Sequence, residues 1–289
     1  MTRLKNPRMM LIFAMSVFGT IGVFVRNIAV SSAELALYRA MLAAILLGSY
    51  FLLMKQKLNL KDIGKDLLLL LLSGAAMGFN WIFLFEAYKY TTVSVAPLSY
   101  YFAPVLVTLA CPVLFKEKMG VKQWICFAMS TLGIILITGI GDLRGNNQHL
   151  LGIAFGLGAA VLYATVILLN KKIQRVAGIQ RTFLQFLAAI VVLIPYVLCT
   201  EGIHLGQLDG SGWINLLIVG LFHTGVTYCL YFSALKELPG QEAAILSYID
   251  PLVAVLISVF VLGERMTAVQ IIGGLLILGF TLWNELKTN

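Results

Sequence analysis

Apolar runs of about 20 residues follow one another along this chain with little between them. Ten can be marked, at roughly 9–28, 33–54, 66–88, 92–115, 121–140, 150–170, 180–200, 213–235, 240–262 and 267–285. A run of that length, once helical, matches the hydrocarbon thickness of a bilayer. Lipid offers no partner to a free N–H or carbonyl, so each run must satisfy its own backbone as a helix. The expected fold class is all-α integral membrane, with ten transmembrane helices. Composition agrees: 60% of the 289 residues are hydrophobic and 12% charged, against about 25% charged in soluble domains, and the mean hydropathy is +0.92. Nothing that polar or long remains for a separate soluble domain. The connections, such as "KQKLNLKDIGKD", "GIGDLRGNNQH" and "EGIHLGQLDGSG", are rich in Gly, Asn and charge. The first run follows Arg3, Lys5 and Arg8 in the manner of a secretory signal. It is long for that role and nine more runs follow, so it is expected to be retained.

Lysine and arginine set the orientation. With the N-terminus in the cytoplasm, sixteen basic residues fall inside: the N-terminal three, Lys55, Lys57, Lys61, Lys65, Lys116, Lys118, Lys122, Lys171, Lys172, Arg175, Arg181, Lys236 and Lys287. Four fall outside, namely Arg26, Lys89, Arg144 and Arg265, and Arg39 lies within the second run. Both termini are therefore expected in the cytoplasm. The net charge of +8 then reads as membrane anchoring and not as a nucleic-acid surface.

An internal repeat organises the chain. At an offset of 147, residues 85–133 match 232–280 at Phe85/Phe232, Ala87/Ala234, Lys89/Lys236, Tyr101/Tyr248, Pro104/Pro251, Glu117/Glu264, Met119/Met266 and Gln123/Gln270. Tyr-x-x-Pro, then Glu thirteen residues on and Gln six further, recurs with identical spacing, and "LAAI" stands at both 42–45 and 187–190. Five helices per half is an odd number, so the second half must enter the membrane inverted. Residues 1–145 and 146–289 are thus expected to form two inverted five-helix repeats, a plan secondary transporters use around a site at the midplane.

"SYYFAPVLVTLACPVLFKEKMGVKQ" and "LSYIDPLVAVLISVFVLGERMTAVQ", with "FGTIGVF" and "LYRAMLAAILL" in the first two runs, carry a resemblance to a known family. The chain resembles the drug/metabolite transporter superfamily, in particular its ten-helix group with two EamA-type repeats. That resemblance implies one polypeptide moving a small metabolite, most often outward, through a central cavity lined by both halves. Phe18-Gly19 stands where such proteins frequently have Trp-Gly, and an acid at Asp250 is not general among them.

Physical chemistry of the residues themselves points to the same centre. Pro251 has no amide hydrogen and frees the carbonyl of Ser247; Pro104 frees that of Tyr100. Each break leaves a carbonyl near mid-membrane, where an unpaired one is costly. Asp250 beside the second break costs about 2.5–3.5 kcal/mol to insert, so it is expected to be paired, protonated or facing water. One turn apart from it lie Ala243, Ser247, Ala254 and Ser258, a small stripe that suits either close packing or a solvent cavity.

Other polar and aromatic residues supply the remaining candidates. Glu86 either pairs with Lys89 at the interface or shares proton handling with Asp250. Arg39 needs a carboxylate, a carbonyl or an anionic substrate, with a structural partner favoured. His223, on one face with Thr227, either relays protons or is a neutral ring bonded to backbone. Trp81, Tyr100, Tyr101, Tyr163, Tyr228, Tyr231 and Tyr248 fall within runs, away from the interfacial belts. Most aromatics in such runs are packing, and no more than three or four of these are expected to touch substrate, Trp81, Tyr101, Tyr163, Tyr228 and Tyr248 being the candidates alongside Asp250, Ser247 and His223. Aromatic faces with an acid suit an amine or quaternary ammonium.

Cys111, Cys126, Cys199 and Cys229 form no metal or disulfide spacing. Gly152 to Gly156 and Gly273-Gly274 read as helix contacts, since no phosphate-binding glycine motif occurs. Neither ATP nor any cofactor is expected. Without H-E-x-x-H or G-x-S-x-G, an intramembrane enzyme is disfavoured. The expectation is a proton-coupled or facilitative exporter of a small amine-containing metabolite, such as an amino acid, in a bacterial plasma membrane, working as a monomer. The alternatives are a carrier of choline-like cations or drugs, and a non-transporting receptor or scaffold.

Overall fold

The computed structural model describes residues 6–54, 60–116, 119–138, 147–173, 175–176, 178–200, 202–235, 237–238 and 246–286. Glu117, Lys236 and Ala243, singled out by the repeat and the small stripe, lie outside these. All regular structure among the described residues is helical. Seven helical segments are long and apolar enough to cross a membrane, and three further apolar helices are shorter.

The first segment is α1 (Pro7–Gly19) and α2 (Ile21–Val25), separated at Thr20. Asn6 caps α1 through its side chain to the Met9 N–H, and Pro7 sits where a missing N–H is harmless. Helix α3 (Ser32–Leu53) opens with a capping box in which Ser31 and Glu34 bond each other's backbone. The long α4 (Leu60–Tyr90) leads into α5 (Val95–Tyr100) and α6 (Ala103–Phe115), which are split at Tyr101 and Phe102, just ahead of Pro104. Next come α7 (Val121–Thr138), α8 (Asn147–Lys172) and α9 (Gly178–Thr200). Then α10 (Gly210–Leu217), N-capped by Asp209, runs through a π-helical stretch (Ile218–Val226) into α11 (Thr227–Leu235). Helix α12 (Ile249–Phe260) follows, and α13 (Ala268–Glu285) begins with a second capping box, Thr267 with Gln270.

The runs at 121–140, 240–262 and 267–285 are the three that appear as shorter helices. The shortest, α12, begins two residues before Pro251, and Leu246 and Ser247 ahead of the turn at Tyr248 are helical as well.

Packing pairs α4 with α8 and α9, α3 with α9 and the π stretch, α1 with α11 and α12, and α7 with α13. The last pair approaches most tightly at Gly133 and Gly273, where a Cβ on either would lie 2.7 Å from the other's carbonyl oxygen. Only glycine allows that backbone contact. The pair is antiparallel, because Lys122 at the start of α7 bonds the Leu286 carbonyl just past the end of α13. The connections that follow the Pro104 and Pro251 helices therefore sit at opposite ends of the molecule. The main core, around Trp81, Phe85 and Phe186, lies among α3, α4 and α9. Outward, Leu52, Leu53, Leu68, Val191, Ile214, Phe260 and Leu275 are exposed. An apolar exterior on this scale belongs against lipid.

Candidate functional site

Each Tyr-x-x-Pro segment ends one helix and starts another, and the two segments meet. The Tyr101 hydroxyl lies 2.8 Å from Asp250 Oδ2 and 3.2 Å from the Ser247 carbonyl oxygen. That carbonyl is the one Pro251 releases. The single proton of this first-half hydroxyl is shared between the second half's acid, the nearer acceptor, and the carbonyl at its backbone fault. Tyr101 and Tyr248, equivalent in the repeat, set their rings 6.2 Å apart.

Aromatic side chains enclose this junction. Tyr100 packs at 5.1 Å against Tyr163 and at 6.0 Å against Tyr101. On another side Tyr228 contacts Phe18 at 5.1 Å and Phe186 at 5.5 Å, and Phe18 also meets Tyr231. Tyr163 is 36% exposed, and Asp250, Tyr100, Tyr101 and Tyr228 are half-buried. Gly19 brings α1 against Asp250: a Cβ there would lie 2.5 Å from the Asp250 carbonyl oxygen.

Several sequence candidates sit away from Asp250. Trp81 is 4% exposed, lies 5.5 Å from Phe186 and carries Arg39 over its face, with the guanidinium carbon 4.4 Å from the ring centre. The Arg39 Nε donates to Thr224 Oγ1 at 3.0 Å, so its partner is a hydroxyl on the π stretch. Glu86 pairs with Lys89 at 2.9 Å on the rim and is not brought to Asp250. His223 is 1% exposed, with Nδ1 3.3 Å from the Ile218 carbonyl and Nε2 2.9 Å from Thr20 Oγ1. The Thr20 hydroxyl also lies 2.8 Å from the Val17 carbonyl, to which it donates, so the ring nitrogens face a backbone carbonyl on one side and a hydroxyl oxygen on the other. Of the small stripe, Ala254 is packed at 1% exposure and Ser258 turns its hydroxyl to Glu264.

Glu264 closes one end of the molecule, a role that sequence reading did not give it. Its Oε1 lies 2.6 Å from Arg26 Nη1, and both carboxylate oxygens accept the Val93 N–H, at 3.1 and 2.9 Å. Arg26 also donates to the carbonyls of Thr91 and Tyr88. The latch thus ties α2 and the 91–94 turn of the first half to the α12–α13 connection of the second. Beside it a hollow of about 360 Å³ is lined by Arg26, Ser32, Leu35, Tyr88 and Lys89 among others. Tyr88, which is 4% exposed, contributes to its wall. The available signal was Glu264 itself, repeated at fixed distance from proline; its partners are remote in sequence.

Comparisons with known proteins bear on the family and the fold. The model of the EamA-like transporter family matches residues 7–139 and again 150–284. An uncharacterized transporter, YxxF, of Bacillus subtilis is 32% identical over 267 residues, covering 91% of this chain and 84% of that protein. One from Archaeoglobus fulgidus is 29% identical over 274 residues, 92% of each. Protein PecM of Dickeya dadantii is 26% identical over 246 residues, 83% of this chain and 80% of its own length. A solved crystal structure aligns with a TM-score of 0.66 over 95% of both chains at 16% identity, which speaks for the fold alone.

Proposed function

Because this chain belongs to the EamA-like transporter family and is a multi-pass membrane transporter, we propose that it exports a small amine-containing metabolite, an amino acid by class, in exchange for protons. The reading takes all ten apolar runs as spans, with both termini cytoplasmic and repeats at 1–145 and 146–289 lying inverted in a bacterial plasma membrane. One chain suffices to enclose the pathway. The observation that carries it is the Tyr101, Asp250 and Ser247 contact, where an acid from one half and a hydroxyl from the other meet.

In this mechanism ionised Asp250 accepts from Tyr101 and from a substrate ammonium that enters between the aromatic rings. Protonation cancels the attraction and releases the amine. Proton and substrate compete for one carboxylate, which couples their flows. The relevant titratable neighbours are Tyr88, Tyr100, Tyr101, Tyr163 and Tyr228. The Arg26–Glu264 latch occupies the side assigned as external, so this state is closed outward, and rocking the halves breaks it. Low external pH favours protonation on that side and so drives amine outward.

The test is efflux of radiolabelled amino acids from proteoliposomes with an imposed pH gradient, comparing wild type with Asp250→Asn. Gradient-driven flux should disappear in the variant. Preserved flux with unchanged pH dependence removes Asp250 from coupling. The aromatic set also favours an organic cation, and a quaternary ammonium arm distinguishes that reading.

A further inference from the structure

The hollow beside the Arg26–Glu264 latch carries groups that neither the latch nor Asp250 uses. Ser32, in its wall, is 2% exposed, and its hydroxyl finds no partner among the described residues. Ser16, Ser49 and Ser99, inside helices, donate to the carbonyl one turn back. Ser32 is the first residue of α3 and has no helical carbonyl behind it. A buried hydroxyl left in that state is costly. Cations line the same hollow. Arg26 gives Nε to the Tyr88 carbonyl, Nη1 to Glu264 and Nη2 to the Thr91 carbonyl, which leaves a second hydrogen on each Nη. Lys89 gives one hydrogen to Glu86 and keeps the others for further acceptors. Both side chains are partly open to solvent, at 34% and 46%.

The rest of the lining gives the ligand its body. Val25, Ile28, Val30 and Leu35 are aliphatic, and all but Val30 are buried. Through Ser32 the hollow also borders the N-terminal end of α3, whose field favours an anion. A volume of about 360 Å³ is at the small end of ligand pockets, which suits a metabolite-sized molecule. A carboxylate accepts from Arg26, Lys89 and the orphaned hydroxyl, while a short hydrocarbon body covers the aliphatic wall. We propose that this hollow is a second ligand site, taking small aliphatic carboxylates at Arg26 in competition with Glu264. Neither Asp250 nor an ammonium enters it, so it stands apart from the amine-export reading. Because the same guanidinium closes the latch, an acid bound here draws Arg26 from Glu264 and loosens that end of the molecule.

Equilibrium binding to purified full-length protein tests the site, with isocaproate as the probe: it has the skeleton of leucine without the ammonium, and so no charge for Asp250 to hold. Wild type should bind it saturably, and should bind isocaproamide, which lacks the anion, about tenfold more weakly. Acetate, without the branched body, should also bind about tenfold more weakly. Arg26→Gln should weaken isocaproate about tenfold and Ser32→Ala about fivefold, whereas Asp250→Asn should leave it unchanged. Glu264→Gln should tighten it about threefold, because a neighbouring negative charge is gone; damage to the fold would loosen it instead. The proposal is overturned by any of four results: no saturable binding, acid bound no better than amide or acetate, affinity untouched by Ser32→Ala and Arg26→Gln in folded protein, or no gain in Glu264→Gln. Loss of the acid in Asp250→Asn overturns it too, by placing the acid at the other site. None of these results bears on amine export, which the flux measurement decides by itself.

Discussion

Two segments of this molecule share a pattern and differ in one residue that matters. Tyr101 to Pro104 and Tyr248 to Pro251 each interrupt a helix, but the position before proline is Ala103 in one and Asp250 in the other. Ala103 is fully buried, packed with Phe102, Val105 and Ala160. Asp250 keeps accessible surface and takes the Tyr101 hydroxyl. The difference teaches that pseudo-symmetry supplies the geometry, two breaks facing each other, while the chemistry needs to be written only once. A single acid also avoids placing two like charges together, which would force one to stay protonated.

That comparison can be broken in order of expected effect. Asp250→Asn should lower gradient-driven flux by about a hundredfold, since losing one member of a buried hydrogen-bonded charge contact costs about 2–5 kcal/mol; its residual flux should be flat across pH. Moving the acid to the other half, as Ala103→Asp with Asp250→Ala, should not restore transport. Asp at position 103 should also destabilise the protein by about 2.5–3.5 kcal/mol, the insertion cost of an unpartnered acid, which a lowered thermal midpoint in detergent would register. Restored flux would mean that the halves are chemically interchangeable. Glu264→Gln weakens the latch and should raise the outward-open population about tenfold, seen as faster hydrogen exchange over residues 91–94. Tyr101→Phe removes a single donor worth about 1 kcal/mol and should slow transport about fivefold without unfolding. The smallest effect is expected at the rim, where Glu86→Gln loses an exposed pair worth under about 1 kcal/mol and should change flux less than twofold.

How much could be read in advance varied with how local the signal was. Helix-length apolar runs and the faults at Pro104 and Pro251 are properties of short segments, and they appear in the structure near the expected residues. The widened π turn at Ile218–Val226 left no mark in hydropathy, because it adds no polar residue. Within it Gly220 and Gly225 meet Leu42 and Leu46 of α3, contacts made across the bundle. It also sets Thr224 against Arg39, which reading by spacing had assigned only a generic partner. Glu86 and Lys89, three residues apart, were legible as a pair because one turn of helix brings them together. Arg26 and Glu264, separated by most of the chain, were not.

The order of amino acids by itself determined that this protein lives in lipid as helices, that its two halves are built alike, and where each half is interrupted. Those outcomes follow from hydrophobic length, repetition and the missing amide of proline, all of which act over a few turns of chain. Only the tertiary structure decided which groups meet: Tyr101 with the carbonyl that Pro251 frees, Glu264 with Arg26, and Arg39 stacked on Trp81. Such contacts join residues on different helices, and their partners are fixed by how closely small side chains let those helices approach.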